Sequence, residues 1–282
     1  MQIYVEEAKV SLGTVAGFFG GILLFLISIW WSAPDMGSIV VFISLSSGLI
    51  VFGGTLANAF ICYQGVYVTK SLKEIFKIFS HAKVDGDVII NEINKSLTWA
   101  DIAFKEGAAG LESHIEKEEP DDHLLKFGID LVLRQYDPPE IRELMTNTIE
   151  SEFQRVQVEA EVLENMSGNA PAFGMIGTLV GLVLMLQTMG SDPKQIGSGL
   201  ALALLTTLYG VLAARLVFQP ASKKVYQRGS IERFRNYLIM EIFIMIAESR
   251  HAGFIRDRIR SFLRPSMLAR IDNPRERTTE SS

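Results

Sequence analysis

Three threonines are the residues best suited to chemistry within the most apolar part of the sequence. Thr178 lies in the uncharged run 169–189, and Thr206 and Thr207 lie in the run 198–218. Threonine hydroxyls at membrane depth can offer oxygen ligands to a hydrated or partly dehydrated cation. The apolar runs contain no Asp or Glu, so an ion pathway would need a carboxylate from a partner helix.

The threonines belong to two stripes of small residues that repeat at the i, i+3, i+4, i+7 spacing of one helix face. The stripes comprise Gly174, Gly177, Thr178, Gly181, Met185 and Thr188 in one run, and Gly199, Ala203, Thr206 or Thr207, Gly210 and Ala214 in the other. In one interpretation, two helices pack closely through these faces and the hydroxyls bond to i−4 carbonyl groups. In the other, the faces line an ion pathway beside a partner.

Four apolar runs must position these residues, and each has roughly the 20 residues that span the hydrocarbon of a bilayer. They are residues 10–31, 46–68, 169–189 and 198–218. Of the 282 residues, 48% are hydrophobic, and mean hydropathy is +0.24. We predict an all-α integral membrane protein with four transmembrane helices, a helical cytoplasmic loop domain and long cytoplasmic helix extensions.

The distribution of charge predicts the orientation. Residues 69–169 hold 11 of the 27 basic residues and residues 221–282 hold 13, so the positive-inside rule makes both segments and both termini cytoplasmic. The loop also holds 21 acidic residues and the tail holds 7, so we expect loop and tail to pack together, with basic residues near anionic lipid. The predicted segments are an N-terminus (1–9), transmembrane helices 1 and 2 (10–68), the loop (69–169), transmembrane helices 3 and 4 (170–219), and a C-terminal helix with a disordered tail (220–282).

Residues for enzyme, redox or metal chemistry are few and scattered. Cys62 is the only cysteine, and the four histidines at 81, 114, 123 and 251 lack the spacing of metal ligands. No phosphate loop, nucleophile elbow or zincin motif is present, and no nucleic-acid motif accompanies the basic tail. We therefore expect no catalytic residues, cofactor, bound metal or nucleic-acid partner.

Helix signals extend beyond the apolar runs. Asp137 followed by Pro138 predicts a helix start, and this helix is expected to reach about Asn165 and lead through "SGNAP" into the third run. The second run is expected to continue into "KSLKEIFKIF". The 11 residues "YLIMEIFIMIA", which include Glu241, are too short for a fifth span and predict a packed cytoplasmic helix face.

Three motifs resemble those of one family. "NAPAFGMIGTLVGLVLML" followed by "GLALALLTTLYGVLAARLVFQPASKK" resembles the third and fourth transmembrane helices of the MotA/PomA flagellar stator proteins, and "IVFGGTLANAF" resembles their second. The resemblance is closer to PomA-like sequences. It implies a bacterial inner-membrane protein in which five copies surround two single-span MotB or PomB partners, each supplying a membrane aspartate. It further implies that the stripes line the central bore and face those partners.

The resemblance also assigns roles in the loop and at two prolines. It implies that charged loop residues contact the flagellar rotor, the switch-complex protein FliG; Phe104 stands where the family has an Arg, which leaves Lys105 and Glu112 as the candidates. Pro171 and Pro220 match the family's prolines at the cytoplasmic ends of spans three and four. A proline there frees backbone carbonyls and permits a torque-transmitting bend, although ordinary helix-end prolines have the same spacing.

We therefore predict a stator subunit that couples Na⁺ or H⁺ flow to torque. Sodium is favoured, because it must exchange hydration water for oxygen ligands such as Thr178 and Thr207, and PomA-like sodium units carry threonines at these positions. The alternative is a TolQ/ExbB-like energiser of another envelope process, but that family usually has three spans. A transporter permease would bind substrate at interrupted helices, which these runs do not show.

Overall fold

The computed structural model describes residues 12–32, 42–77, 86–115, 122–188 and 193–263, and within them the ordered elements are helices with no β-strand. They are α1 (Leu12–Ser32), α2 (Leu45–Cys62), α3 (Gly65–Lys77), α4 (Gly86–Ile115), α5 (His123–Leu133), α6 (Pro138–Gln187), α7 (Pro193–Leu212), α8 (Gln219–Ala247) and α9 (Ala252–Arg260). A π-helical segment, Ala213–Phe218, joins α7 to α8. The predicted all-α fold is confirmed.

The chain divides into two compact units. The first, called here the span unit, consists of Lys9–His81 and Val156–Gln227; the second, called the charged unit, consists of Met1–Ala8, Ala82–Arg155 and Arg228–Ser282. Helices α6 and α8 contribute residues to both. The expectations for residues 1–9 and for the tail at 266–282 concern parts of the chain outside the described residues.

Three of the described helices are long and apolar enough to cross a membrane: Leu45–Cys62, Pro138–Gln187 and Ile196–Ala247. Helix α1 is a fourth apolar helix, with 21 residues and no charged side chain. These lengths meet the requirement of about 20 residues for a span. The prediction of a helical membrane protein is thereby confirmed.

Helix α2 ends earlier than the sequence predicts. Tyr63 has extended backbone angles, φ −131° and ψ 157°, and its N–H donates to the Ala59 carbonyl at 3.0 Å. A new helix, α3, begins at Gly65. The expected continuous helix from run two into "KSLKEIFKIF" is therefore wrong, because the extended backbone of Tyr63 interrupts the i→i−4 hydrogen bonds.

Helix α6 is longer than the sequence predicts. It starts at Pro138 as expected, and Glu140 Oε2 accepts a hydrogen bond from the Asp137 N–H at 3.1 Å. It then continues without interruption to Gln187. The end expected near Asn165 is therefore too early, and the helix passes through "SGNAP" into the third run as expected, because Pro171 removes only one backbone N–H from the helix.

The charged unit encloses an apolar core formed by α4, α5, α9, the start of α6 and the end of α8. The segment "YLIMEIFIMIA" lies within this core: Ile239, Ile242 and Phe243 are fully buried. Glu241, the charged residue of that segment, accepts a hydrogen bond from Arg142 at 2.6 Å. The prediction of a packed helix face rather than a fifth span is confirmed.

Ion pairs join the loop and tail segments inside the charged unit. Buried Arg235 donates to both Glu92 and Asp122, the latter at 2.7 Å. Asp122 also caps α5 by accepting from the Leu124 N–H at 2.8 Å. Burial acts to raise the pKa of Asp122, but the charge and hydrogen bonds of Arg235 outweigh it and hold that pKa below its ordinary value. The expected packing of acidic loop against basic tail is confirmed within this unit.

Candidate functional site

Helices α6 and α7 pack backbone to backbone through the glycines of the two stripes. A methyl group at Gly174 would lie 2.9 Å from the Thr206 carbonyl oxygen, and one at Gly181 would lie 2.6 Å from the Ala203 nitrogen. On α7, a methyl group at Gly199 would lie 2.9 Å from the Met185 nitrogen. The glycines of these stripes therefore face each other within one chain, and the expectation that the whole stripe lines a bore is wrong. Glycine permits the close approach because it lacks a Cβ.

The structure brings Thr178 and Thr207 together at the edge of this packed face. Their Oγ1 atoms are 2.6 Å apart, and the pair is exposed. Thr178 Oγ1 also lies 3.1 Å from the Ala203 carbonyl oxygen and 3.1 Å from the Gly174 carbonyl oxygen. The Ala203 carbonyl is 3.5 Å from Thr207 Oγ1. Three oxygen atoms, two hydroxyls and one carbonyl, thus converge at this point.

The hydrogen-bond pattern leaves one of these oxygens available to a ligand. With Thr207 as donor to Thr178, the Thr178 hydroxyl can donate to the Ala203 carbonyl, and every hydrogen of the pair is used. Thr207 then presents both lone pairs to the exterior. An exposed oxygen with free lone pairs is an acceptor for a cation or for a proton donor.

The structure separates Thr206 from this pair. Its side chain is fully buried, and its hydroxyl donates to the Leu202 and Ala203 carbonyls, each at 3.0 Å. A methyl group at Gly177 would lie 2.5 Å from the Thr206 side chain, so α6 covers it. Of the two adjacent threonines, Thr207 alone has an exposed hydroxyl, and Thr206 packs the helix pair.

The hydroxyl pair is a polar point on an otherwise apolar surface. Leu200, Leu204 and Val211 share the face of α7 that carries Thr207 and are exposed, as is Met175 one turn from Thr178 on α6. A single polar pair surrounded by exposed apolar side chains is typical of a helix face that meets lipid or other membrane helices.

The two prolines lie near the same helix pair. A methyl group at Gly210 of α7 would lie 2.6 Å from the Ala170 carbonyl oxygen and 3.1 Å from Pro171 Cα, so α7 presses on the proline itself. Pro220 follows directly after the π-helical segment Ala213–Phe218. The wider π turn relieves the clash that a proline ring makes with the i−4 carbonyl. The sequence did not predict this π turn.

Lys105 and Glu112 both lie on α4, in the charged unit, and both are exposed. Lys105 Nζ pairs with Asp101 of the same helix at 2.6 Å. Between the two candidates, Gly107 has φ 72° and ψ −167°, which breaks α4 into two helical pieces. They therefore do not share one continuous helix face. Phe104 is also exposed, and its ring packs edge-on against His251 with centroids 6.5 Å apart.

Sequence reasoning missed the Ala203 carbonyl, Arg235 and the left-handed Gly107. The carbonyl could have been found by counting four residues back from Thr207, the position to which a helical threonine hydroxyl donates. Within the described part of the chain, no group of three or more His, Cys, Asp and Glu side chains could hold a metal ion. The oxygens at Thr178, Thr207 and Ala203 form the candidate functional site, because they converge beside an exposed hydroxyl.

Comparison with known proteins assigns the family. Residues 116–235 match the MotA/TolQ/ExbB proton channel family. The uncharacterized protein YtxD of Bacillus subtilis is 33% identical over 239 residues, which cover 84% of this chain and 85% of that protein. The chemotaxis protein PomA of Vibrio alginolyticus is 31% identical over 253 residues, which cover 90% and 95%. The chain belongs to the MotA/PomA family.

A solved structure of MotAB from C. jejuni has the same fold. It superposes with a TM-score of 0.77 at 24% identity, covering 90% of this chain and 96% of that one. Membership in the MotA/PomA family confirms the resemblance drawn from the span motifs. It also confirms that the chain is not an enzyme, because this is a family of membrane channel proteins.

Proposed function

We propose that this chain is an ion-conducting stator subunit of a bacterial flagellar motor and that Thr178 and Thr207 lie on its ion pathway. The observation that carries the proposal is the exposed hydroxyl pair, with Oγ1 atoms 2.6 Å apart and the Ala203 carbonyl beside it. A PomA relative named as a chemotaxis protein and relatives named Motility protein A support the motor role.

A partner must supply the titratable carboxylate. The apolar runs contain no Asp or Glu, and a proton or sodium ion crossing the membrane needs a negative group to compensate its charge. We propose a single-span partner of MotB or PomB type, surrounded by five copies of this chain in a 5:2 complex. The related solved structures from C. jejuni and Bacillus subtilis are of MotAB, which supports this partner.

In this proposal the complex lies in the inner membrane with four spans per chain and both termini in the cytoplasm. Lys105 and Glu112 contact the rotor protein FliG, and Pro171 and Pro220 act as hinges between the spans and the cytoplasmic segments. The close contact between Gly210 and Pro171 supports a hinge at this point, because a shift of α7 would displace the proline.

We propose sodium as the transported ion. A proton needs only a carboxylate and a water path, whereas sodium must replace hydration water with several oxygen ligands. Thr207 Oγ1, Thr178 Oγ1 and the Ala203 carbonyl are three oxygens at one place. Together with a partner carboxylate, the exposed Thr207 oxygen and the Thr178 oxygen beside it form an oxygen-rich site suited to sodium, and the buried Ala203 carbonyl orients the pair by accepting the Thr178 hydroxyl.

Swimming speed across a sodium series at fixed pH tests this assignment. Thr178→Val and Thr207→Val keep the side-chain volume and remove one oxygen each, so the sodium concentration for half-maximal speed should rise about tenfold, the effect of losing one bond to a charged group. Thr207→Ser should restore the native value. Thr206→Val is the matched control, because its hydroxyl is buried, and it should keep the native sodium dependence. Native swimming that is independent of sodium would indicate a proton motor instead.

A further inference from the structure

Three asparagines form a hydrogen-bonded cluster between α2 and α6 in the span unit. The side-chain nitrogen of Asn169, Nδ2, lies 3.0 Å from Asn58 Oδ1 on α2. The same nitrogen lies 2.9 Å from the Asn165 carbonyl oxygen and 2.9 Å from Asn165 Oδ1, one turn back on its own helix. One amide nitrogen therefore faces three acceptors, one across the helix interface and two within α6.

The Asn169 NH₂ group can exchange between these acceptors because it has fewer hydrogens than there are acceptors. An asparagine NH₂ group has two hydrogens, so one of the three acceptors is always in excess. When α2 and α6 are together, Asn169 bonds across to Asn58. If α2 moves away, both hydrogens can bond to the two oxygens of Asn165, and no donor loses its partner. An uncompensated buried donor is the usual penalty for separating two helices, and here it is absent.

The acceptor on α2 also keeps a partner in the separated arrangement. Cys62 Sγ, four residues along α2, lies 3.7 Å from Asn58 Oδ1 and donates to it. Asn169 Nδ2 and Asn58 Oδ1 therefore each keep a hydrogen-bond partner with the helices together or apart. The cysteine has no other role in the proposed ion pathway.

The position of the cluster connects it to the proline of α6. Asn169 lies two residues before Pro171, and Gly54, one turn before Asn58, is covered by the ring of Phe173. The α2–α6 contact thus runs along both sides of Pro171. Any bend at this proline must change the distance between Asn169 and Asn58.

We propose that Asn169 is a positioning residue, a latch that exchanges between Asn58 and Asn165 and lets α2 separate from α6 beside Pro171 with no net loss of hydrogen bonds. It touches no transported ion. One part of this inference rests on the proposed stator function, namely that the latch couples ion flow to movement of the helices. The exchange itself follows from the hydrogen-bond geometry.

Asn165→Ala and Asn58→Ala should have different effects. Asn165→Ala leaves two acceptors for two hydrogens, so separation then breaks one hydrogen bond and the separated population should fall about fivefold. Asn58→Ala removes the bond across the interface, but both hydrogens then bond to Asn165 with the helices together or apart, so the separated population should stay near its native value. The double variant should behave like Asn58→Ala, because Asn165 matters only while the crossing bond exists. Asn147→Ala, an exposed asparagine on the same helix, is the matched control.

The populations can be measured by electron-spin distance measurements on the full chain in its complex, diluted with unlabelled subunits. Spin labels at Ile61→Cys on α2 and Glu161→Cys on α6, both exposed sites, report the separation in a Cys62→Ser background that keeps a donor for Asn58. We expect two distances in the native sequence. An unchanged distribution in Asn165→Ala, or additive effects in the double variant, would overturn the latch.

A second readout tests the coupling. The ratio of swimming speed to partner-dependent ion current should fall in Asn165→Ala and stay near the native value in Asn58→Ala, while the current itself is retained in both. A loss of folding alone would lower current and speed together. The distance measurement requires neither ion flow nor a rotor. If the expected distances are found but no ion current is measured, the stator function is overturned and the latch stands. If current and speed are normal and the distances do not change in Asn165→Ala, the latch alone is overturned.

Discussion

A close backbone contact between α6 and α7 predicts opposite effects for two glycine-to-alanine changes on α6. A methyl group at Gly181 would lie 2.6 Å from the Ala203 nitrogen and 2.6 Å from the Gly199 carbonyl oxygen, both backbone atoms, so α7 must retreat by about 1 Å to restore ordinary contact. Overpacking of this kind costs about 1–3 kcal/mol, and the better helix propensity of alanine offsets about 1 kcal/mol. We expect a net loss of up to about 2 kcal/mol for Gly181→Ala.

Gly168→Ala provides the control on the same helix. A methyl group there meets no atom within 4 Å, so only the gain in helix propensity, up to about 1 kcal/mol, remains. The assay is the apparent melting midpoint of the purified complex in detergent, which should fall for Gly181→Ala and stay level or rise for Gly168→Ala. A midpoint raised equally in both variants would refute the close packing of α6 on α7.

The remaining predictions concern the charged unit. Arg235→Met leaves Glu92 and Asp122 without their buried cation and should destabilise this unit by about 3 kcal/mol, measured by urea-dependent proteolysis. Arg235 lowers the pKa of Asp122, so the stabilisation by Asp122 is complete above about pH 4 and is lost as the pH falls through the lowered pKa. The free energy of unfolding of the charged unit should therefore decline less at acid pH in Asp122→Asn than in the native protein. Gly107→Ala should cost about 1 kcal/mol, because φ 72° strains any residue with a Cβ, and faster protease cleavage near residue 107 would report it. Reversing the charges of Lys105 and Glu112 together should reduce swimming speed and leave complex assembly unchanged. Normal swimming would show that other residues contact the rotor.

The sequence predicted the helices that composition alone determines. Runs of about 20 apolar residues can bury their backbone polar groups in lipid only as helices, so the span runs were found from hydropathy. The start of α6 was visible because Asp137 and Pro138 have a local conformational preference. "YLIMEIFIMIA" was assigned to a packed core because it is too short to span a bilayer.

The helix ends and breaks depend on contacts that a one-dimensional pattern does not contain. The break at Tyr63 has no proline or charge to mark it, and Gly107 resembles any other helical glycine in the sequence. The continuity of α6 through Pro171 had no signal either, since a proline is compatible both with a helix end and with a bend.

The candidate site was predicted in residue type but not in detail. Thr178 and Thr207 were selected from spacing, and the structure places their hydroxyls in contact. Thr206 is buried because of the orientation of α7 about its own axis, which turns this side chain toward Gly177. The spacing of residues in the sequence does not show which of two adjacent threonines is turned inward. The Ala203 carbonyl was missed, although its position four residues before Thr207 is the one to which a helical threonine hydroxyl donates.

The most direct test of the central claim is the ion current of the purified complex in lipid vesicles. We predict a sodium current at fixed pH when the single-span partner is present, and almost no current from this chain alone, because its apolar runs hold no carboxylate. The current should fall in Thr207→Val and persist in Thr206→Val. A strong current without any partner, or one unchanged when sodium is replaced by a larger cation, would contradict the account.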